Sequence, residues 1–286
     1  MATTGIVTAT PGSTSGWAAM PLSRQVLLLR VALIAAIVLI WEAVAASGLL
    51  FQDVVPSLLI IGRTLVSLLT DPDLKWPIDA GVGGFRLAFE LWIPAFYWHL
   101  YVTIAEVAVA LAIGGLTGLA VGLALGANPF LSAAFERFLY YLGPTPKIVF
   151  LPVMIMWFGV GPESKIAMGT ISCFFPVVLS AAAGMRQIDN VLIRVGRSFR
   201  LNTWQMVTKI YLPAMREPIV NGVRLGLGVA LIGTLLAETK LSNKGVGFQI
   251  MDAYNTFDMP RMYAVLGVLF VIAIGANALV GRASRG

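Results

Sequence analysis

The chain is poor in charge and holds one cysteine and one histidine, and each shortage excludes something. Only 12% of its 286 residues are charged, while 58% are hydrophobic. Soluble domains carry about a quarter charged residues. A water-soluble fold of this length cannot hide so much apolar surface, so the expected solvent is a lipid bilayer. The single Cys173 cannot close an internal disulfide, and with the single His99 it leaves no Cys/His cluster for zinc or haem. An enzyme built inside the membrane would need clustered His, Asp, Glu or Cys, which the same counts disfavour. The phosphate loop G-x-x-x-x-G-K-S/T is also missing. No catalytic, metal or cofactor residues are therefore singled out.

What remains is apolar length with basic punctuation. The net charge of +6 would raise nucleic-acid binding in a soluble protein. No basic-plus-aromatic tract accompanies it, and basic residues collect on the cytoplasmic side of membrane proteins, so no nucleic-acid partner is expected. The expected architecture is all-α, with six membrane spans at about 31–50, 100–126, 136–158, 164–186, 218–237 and 261–281. About twenty helical residues cross the hydrocarbon core. Residues 1–24 read as a mobile cytoplasmic tail and 25–286 as one transmembrane domain. Ala43-Val44-Ala45 also resembles a signal-peptide cleavage site, but its basic flank sits too far into the chain.

Orientation follows from the basic residues. Arg24 and Arg30 precede the first span, and Arg186, Arg194, Arg197, Arg200, Lys209 and Arg216 crowd the connection between the fourth and fifth. Both ends are expected inside (N-in, C-in). The 71–98 stretch is too charged to span. Its Trp92, Tyr97 and Trp98 suit the external membrane boundary, where it is expected as an amphipathic interfacial segment.

Three features inside the spans stand out. Gly114, Gly118, Gly122 and Gly126 recur every fourth residue, a bare stripe for close helix packing. Pro144, Pro146 and Pro152 should kink the third span. Glu42, Glu106 and Glu238 lie in or near the apolar runs. Such residues are costly, and Glu238 reads as an interfacial residue near the outer end of the fifth span. Cys173 reads as a small packing residue. No substrate-binding residue is named.

The connection at 189–216 is the longest cytoplasmic loop between spans. Val191, Leu192, Val195 and Phe199 fall near helical spacing, with bases on other faces. Leu201-Asn202-Thr203 forms a polar turn before a second helical stretch from Trp204, and Pro213 marks a break before the fifth span. A short amphipathic helix outside the lipid can lie in a partner's groove; a solvated loop that only sets topology fits the pattern equally.

This order resembles the cytoplasmic signature loop of binding-protein-dependent ABC importer permeases. Setting Pro213, after Leu212, on the family's proline places Arg194, Val195 and Gly196 on its Glu-Ala-Ala and Arg200 on its Gly. The spacing is kept, while the Glu and the Gly are both Arg. Arg197, Phe199, Asn202, Thr203 and Trp204 complete the matched stretch. Further matches are Gly143-Pro144-Thr145-Pro146, Trp157-Phe158-Gly159, Phe174-Phe175-Pro176, His99-Leu100 with Thr103, and Ala237-Glu238 with Gly245-Val246-Gly247. They look closest to the sulfonate, taurine and nitrate subgroup.

The resemblance implies the type I importer fold, with a core at about 99–281, in a bacterial cytoplasmic membrane. It implies that the loop couples to a separate ATP-binding subunit, which uses the ATP. It also implies an extracytoplasmic solute-binding protein, and a second permease chain, expected to be a copy of this one. A secondary transporter driven by an ion gradient is the competing function; inverted repeats or paired broken helices would favour it.

Overall fold

A chain enters lipid only if its backbone polar groups are satisfied within it, which helices achieve. The computed structural model describes residues 21–48, 54–71, 74–82 and 85–283, with 74–82 and 85–93 described by backbone alone. Residues 1–20 of the expected tail lie outside the described residues, and its last residues already belong to helix α1 (Leu22–Ser47). The chain divides at Ile60/Ile61. In the first part α1 is apolar between Arg30 and Glu42 and buries none of its residues, the exposure expected of a helix solvated by lipid. It ends at Gly48, whose φ of 66° suits glycine. Glu42 accepts the Leu58 N–H at 2.7 Å, which caps the start of α2 (Leu58–Thr70).

The second part centres on three long helices: α3 (Ala95–Ala127), α6 (Pro162–Arg186) and α10 (Arg216–Leu241). The glycine stripe of α3 lies on α6. A Cβ on Gly118 would stand 3.0 Å from Val177 Cβ, and one on Gly122 would stand 2.5 Å from Ala181 Cβ. Gly114 faces Cys173 and Gly126 faces Met185. Successive glycines therefore meet Cys173, Val177, Ala181 and Met185 in ascending order, and α3 and α6 run parallel. Small residues allow this approach where no hydrophobic effect drives helices together. Cys173 is fully buried there, its thiol 3.5 Å from Ala110 O.

On its other side α6 meets α10 in the opposite sense. Gly222 packs on Ser180, Gly226 on Val177 and Cys173, and Gly233 on Ser172. These α10 glycines were not singled out from the sequence.

Parallel α3 and α6 require the chain to return between residues 127 and 162. It does so through α4 (Pro129–Leu142), a 3₁₀ turn (Lys147–Phe150) and α5 (Leu151–Phe158). Asn128 ends α3 and caps α4 by accepting from Phe130 N at 2.9 Å. The expected kinked span is instead two helices bent by 95°. Gly143, Pro144 and Pro146 make the break; Pro152 does not, because it sits in the first turn of α5, where no N–H partner is needed. Together with α12 (Met259–Ala283), five described helices are long and apolar enough to cross a bilayer, and the bent pair is a sixth candidate.

The 71–98 segment takes a form the sequence reading did not specify. It contains an antiparallel pair, β1 (Leu74–Val82) and β2 (Phe85–Ile93), in register from Leu74 opposite Ile93 to Val82 opposite Phe85. Phe85, Leu87, Phe89, Leu91 and Ile93 alternate with Arg86, Ala88, Glu90 and Trp92. That period of two is a strand signal.

Candidate functional site

The connection from α6 to α10 is two helical pieces folded on each other. Asp189 caps α7 (Asn190–Ser198) by accepting the Val191 N–H at 2.8 Å. Helix α7 carries Arg194, Val195, Gly196 and Arg197. It ends in a left-handed turn: Arg200 N–H donates to Arg197 O at 2.9 Å and Leu201 N–H to Gly196 O at 3.1 Å, the two bonds of a Schellman cap. The residue at its left-handed position is Arg200, with φ 49°. Glycine reaches that conformation without the Cβ clash that costs other residues roughly 1 kcal/mol or more. Arg200→Gly is expected to raise the thermal midpoint of the purified protein by about 1–3 °C. A midpoint that falls would show that the Arg200 side chain contributes more than the strain costs.

Asn202 begins α8 (Thr203–Met206) with a reciprocal capping box to Gln205, at 2.8 and 3.0 Å. A π-helical turn (Val207–Tyr211) follows, then α9 (Leu212–Ala214), which holds Leu212 and Pro213. The expected break at Pro213 falls at Met215 instead, because proline fits the first turn of a helix. Gly196 is the one buried member of the predicted set; a Cβ there would stand 2.5 Å from Met206 Sδ. Leu212 is half-buried. Arg194, Val195, Arg197, Phe199, Arg200, Asn202, Thr203, Trp204 and Pro213 are exposed. Phe199 is 76% and Trp204 74% exposed, and Val191 and Leu192 are also exposed. The loop thus presents an apolar surface set among arginines.

The opposite end of the α3–α6–α10 bundle holds a second, buried arrangement. Helix α11 (Val246–Asn255) starts at Gly245, whose φ is 98°. Its first N–H groups have no intrahelical partners, and side chains of two other helices accept from them. Gly245 N–H donates to His99 Nδ1 at 3.0 Å, Val246 N–H to Thr103 Oγ1 at 2.8 Å, and Gly247 N–H to Glu238 Oε2 at 2.7 Å. Thr103 Oγ1 in turn donates to Glu238 Oε1 at 2.7 Å. Glu238 is 1% exposed. The interfacial reading of Glu238 is corrected: helices α3 and α11 enclose it, and its carboxylate joins them to α10. A Cβ on Gly247 would stand 2.7 Å from both Leu235 O and Glu238 Cβ, which accounts for glycine at that position.

Residues 114–285 match the family described as the binding-protein-dependent transport system inner membrane component. The chain belongs to this family. It is a multi-pass membrane protein and a permease subunit of an ABC importer. It is 31% identical over 266 residues to the taurine transport system permease protein TauC of Escherichia coli (strain K12), covering 92% of this chain and 90% of TauC. It is 28% identical over 241 residues to SsuC of Bacillus subtilis (strain 168), covering 84% of this chain and 79% of SsuC, whose name refers to aliphatic sulfonates transport. Among solved structures, a chain of the MetNI methionine ABC transporter in an inward-facing form matches with a TM-score of 0.58 and 20% identity, over 65% of this chain and 92% of that one. That likeness shows the shared type I importer fold.

Proposed function

We propose that this permease carries a small sulfonate-like anion across a bacterial cytoplasmic membrane. In this reading two copies form the passage, a separate ATP-binding subunit docks on the 189–216 loop, and an extracytoplasmic solute-binding protein delivers the substrate. The substrate class rests on the resemblance to TauC and SsuC. The loop is the carrying observation: it exposes Val191, Leu192, Val195, Phe199 and Trp204 around Arg194, Arg197 and Arg200 on a capped, folded-back scaffold. Lipid does not cover a basic loop of this kind, and a protein groove does. Closure of the ATPase pair would push α7, and the rigid packing of Gly196 on Met206 would pass that push to α10. With the loop inside, the Glu238 end of the bundle faces outward; the basic flank of the first span, Arg24 and Arg30, supports an inside N-terminus.

Arg194 and Arg200 stand where the family carries Glu and Gly, so the matching ATPase should present acids to them. Replacing both by Glu is expected to lower co-purification of the partner ATP-binding subunit on the order of tenfold, through like-charge contact. Unchanged recovery would remove the loop from the docking surface. Uptake that persists without ATP and follows a proton or sodium gradient would favour the secondary-transporter reading.

A further inference from the structure

One cavity at the outward end of the bundle is left unused by the fold and by the docking loop. Its volume is about 390 Å³, within the usual range for small-ligand sites. Trp98, Tyr101 and Glu106 of α3 line one side, Pro162 and Lys165 of α6 another, and Lys244 stands in the turn after α10.

Lys165 is the anomaly. It is 5% exposed, and among the described residues its ammonium makes one ion pair, 3.9 Å from Glu106, and no hydrogen bond. A buried ammonium is costly unless its donors are met. The separation is longer than the roughly 2.7–2.9 Å of a charge-assisted hydrogen bond. Glu106 is 4% exposed, and neither of its oxygens has a hydrogen-bond donor among the described residues. It therefore stands beside Lys165 without a hydrogen bond to it. The first turn of α6 brings the positive end of a helix dipole, offset by the Glu163 carboxylate in the same turn. Lys244 lies over the Trp98 ring at 5.9 Å, and Trp98 stacks on Tyr101 at 5.8 Å. The cavity therefore offers two ammonium groups beside a flat aromatic wall.

We propose that this cavity is a substrate subsite. Lys165 and Lys244 receive the sulfonate head of a small organic anion, and Trp98 and Tyr101 cover its short carbon tail. The proposal rests on the sulfonate reading above and gives the permease itself a part in substrate selection.

The test is uptake of radiolabelled taurine and of radiolabelled ethanesulfonate by the complete importer, with its ATPase and binding protein, in proteoliposomes. The double variant Lys165→Met with Glu106→Gln removes the ammonium and its buried counter-charge together, so the fold keeps no orphaned ion. It is expected to assemble and to lower uptake about tenfold or more, the worth of a hydrogen bond to a charged group. Lys165→Arg should stay within about threefold of the wild type. Double-variant uptake within about twofold of the wild type overturns the subsite. So does recovery of uptake in the double variant after loss in Lys165→Met alone, because the pair would then serve folding only. If the wild-type importer moves either sulfonate and the variants do too, the subsite alone falls. If the wild type moves no sulfonate, the substrate reading falls with it.

Discussion

Replacing Glu238 by alanine is expected to cost the folded permease about 3–5 kcal/mol and to lower its thermal midpoint on the order of 10 °C. The carboxylate accepts from Gly247 N–H and from Thr103 Oγ1, each at 2.7 Å, in a place with 1% exposure. Alanine leaves two buried donors without acceptors. Each costs about 1–3 kcal/mol, and the removed side-chain volume adds a cavity term.

Glu238→Gln keeps the shape and one acceptor oxygen, so it should lose less than half as much. The Thr103 hydroxyl can still accept from Val246 N–H at 2.8 Å. Thermal unfolding in detergent, followed by intrinsic tryptophan fluorescence, reads both variants. A Glu238→Ala midpoint within about 2 °C of the wild type would sink the clamp. The expected damage is local first: α11 loses the acceptor at its start, so amide exchange at 245–250 should accelerate before the glycine seam of α3 and α6 opens.

How much of this was legible depends on how far apart the partners lie. The loop at 189–216 could be placed because its signal is local: apolar spacing on Val191, Leu192 and Val195, a polar turn at Asn202, and a Leu-Pro ending at a fixed distance. Even the strain at Arg200 could be anticipated, because an arginine stood where the family pattern carries glycine. The glycine stripe was legible for the same reason, since a helix puts every fourth residue on one face. Glu238 was not legible. Its burial depends on Thr103, 135 residues earlier, and on a helix that begins eight residues later. From sequence, a carboxylate near the end of an apolar run reads as interfacial. The β1–β2 hairpin was not anticipated for a different reason. Charges and aromatics drew attention to the membrane surface, while the alternation from Phe85 to Ile93 carried the strand signal. At 143–146 the prolines announced a break, but the 95° angle depends on packing against α6 and could not be read from them.

Gly122→Leu tests the seam directly and should be severely damaging. A Cβ at Gly122 would stand 2.5 Å from Ala181 Cβ, 2.6 Å from Val178 O and 3.2 Å from Ala182 N. Two of these neighbours are backbone atoms of α6, which cannot rotate away as a side-chain tip does. The helices must separate. Separation also pulls apart Gly118 from Val177 and Gly126 from Met185, because α3 is one rigid rod along the seam. Overpacking a well-filled contact costs about 1–3 kcal/mol, and backbone collision places this case at the top of that range or above it. Helix association in lipid rests on such close packing, with no water-driven force to restore it. The expected result is loss of most monodisperse protein in size-exclusion chromatography. Gly115→Leu is the matched control. It lies one residue along the same stretch of α3, with nothing within 4 Å of its added Cβ, and leucine is the better helix former. Gly115→Leu should be recovered at wild-type yield. Equal recovery of both variants would mean that α3 and α6 do not meet through this stripe, and the parallel arrangement that sets the direction of every later helix would fall with it.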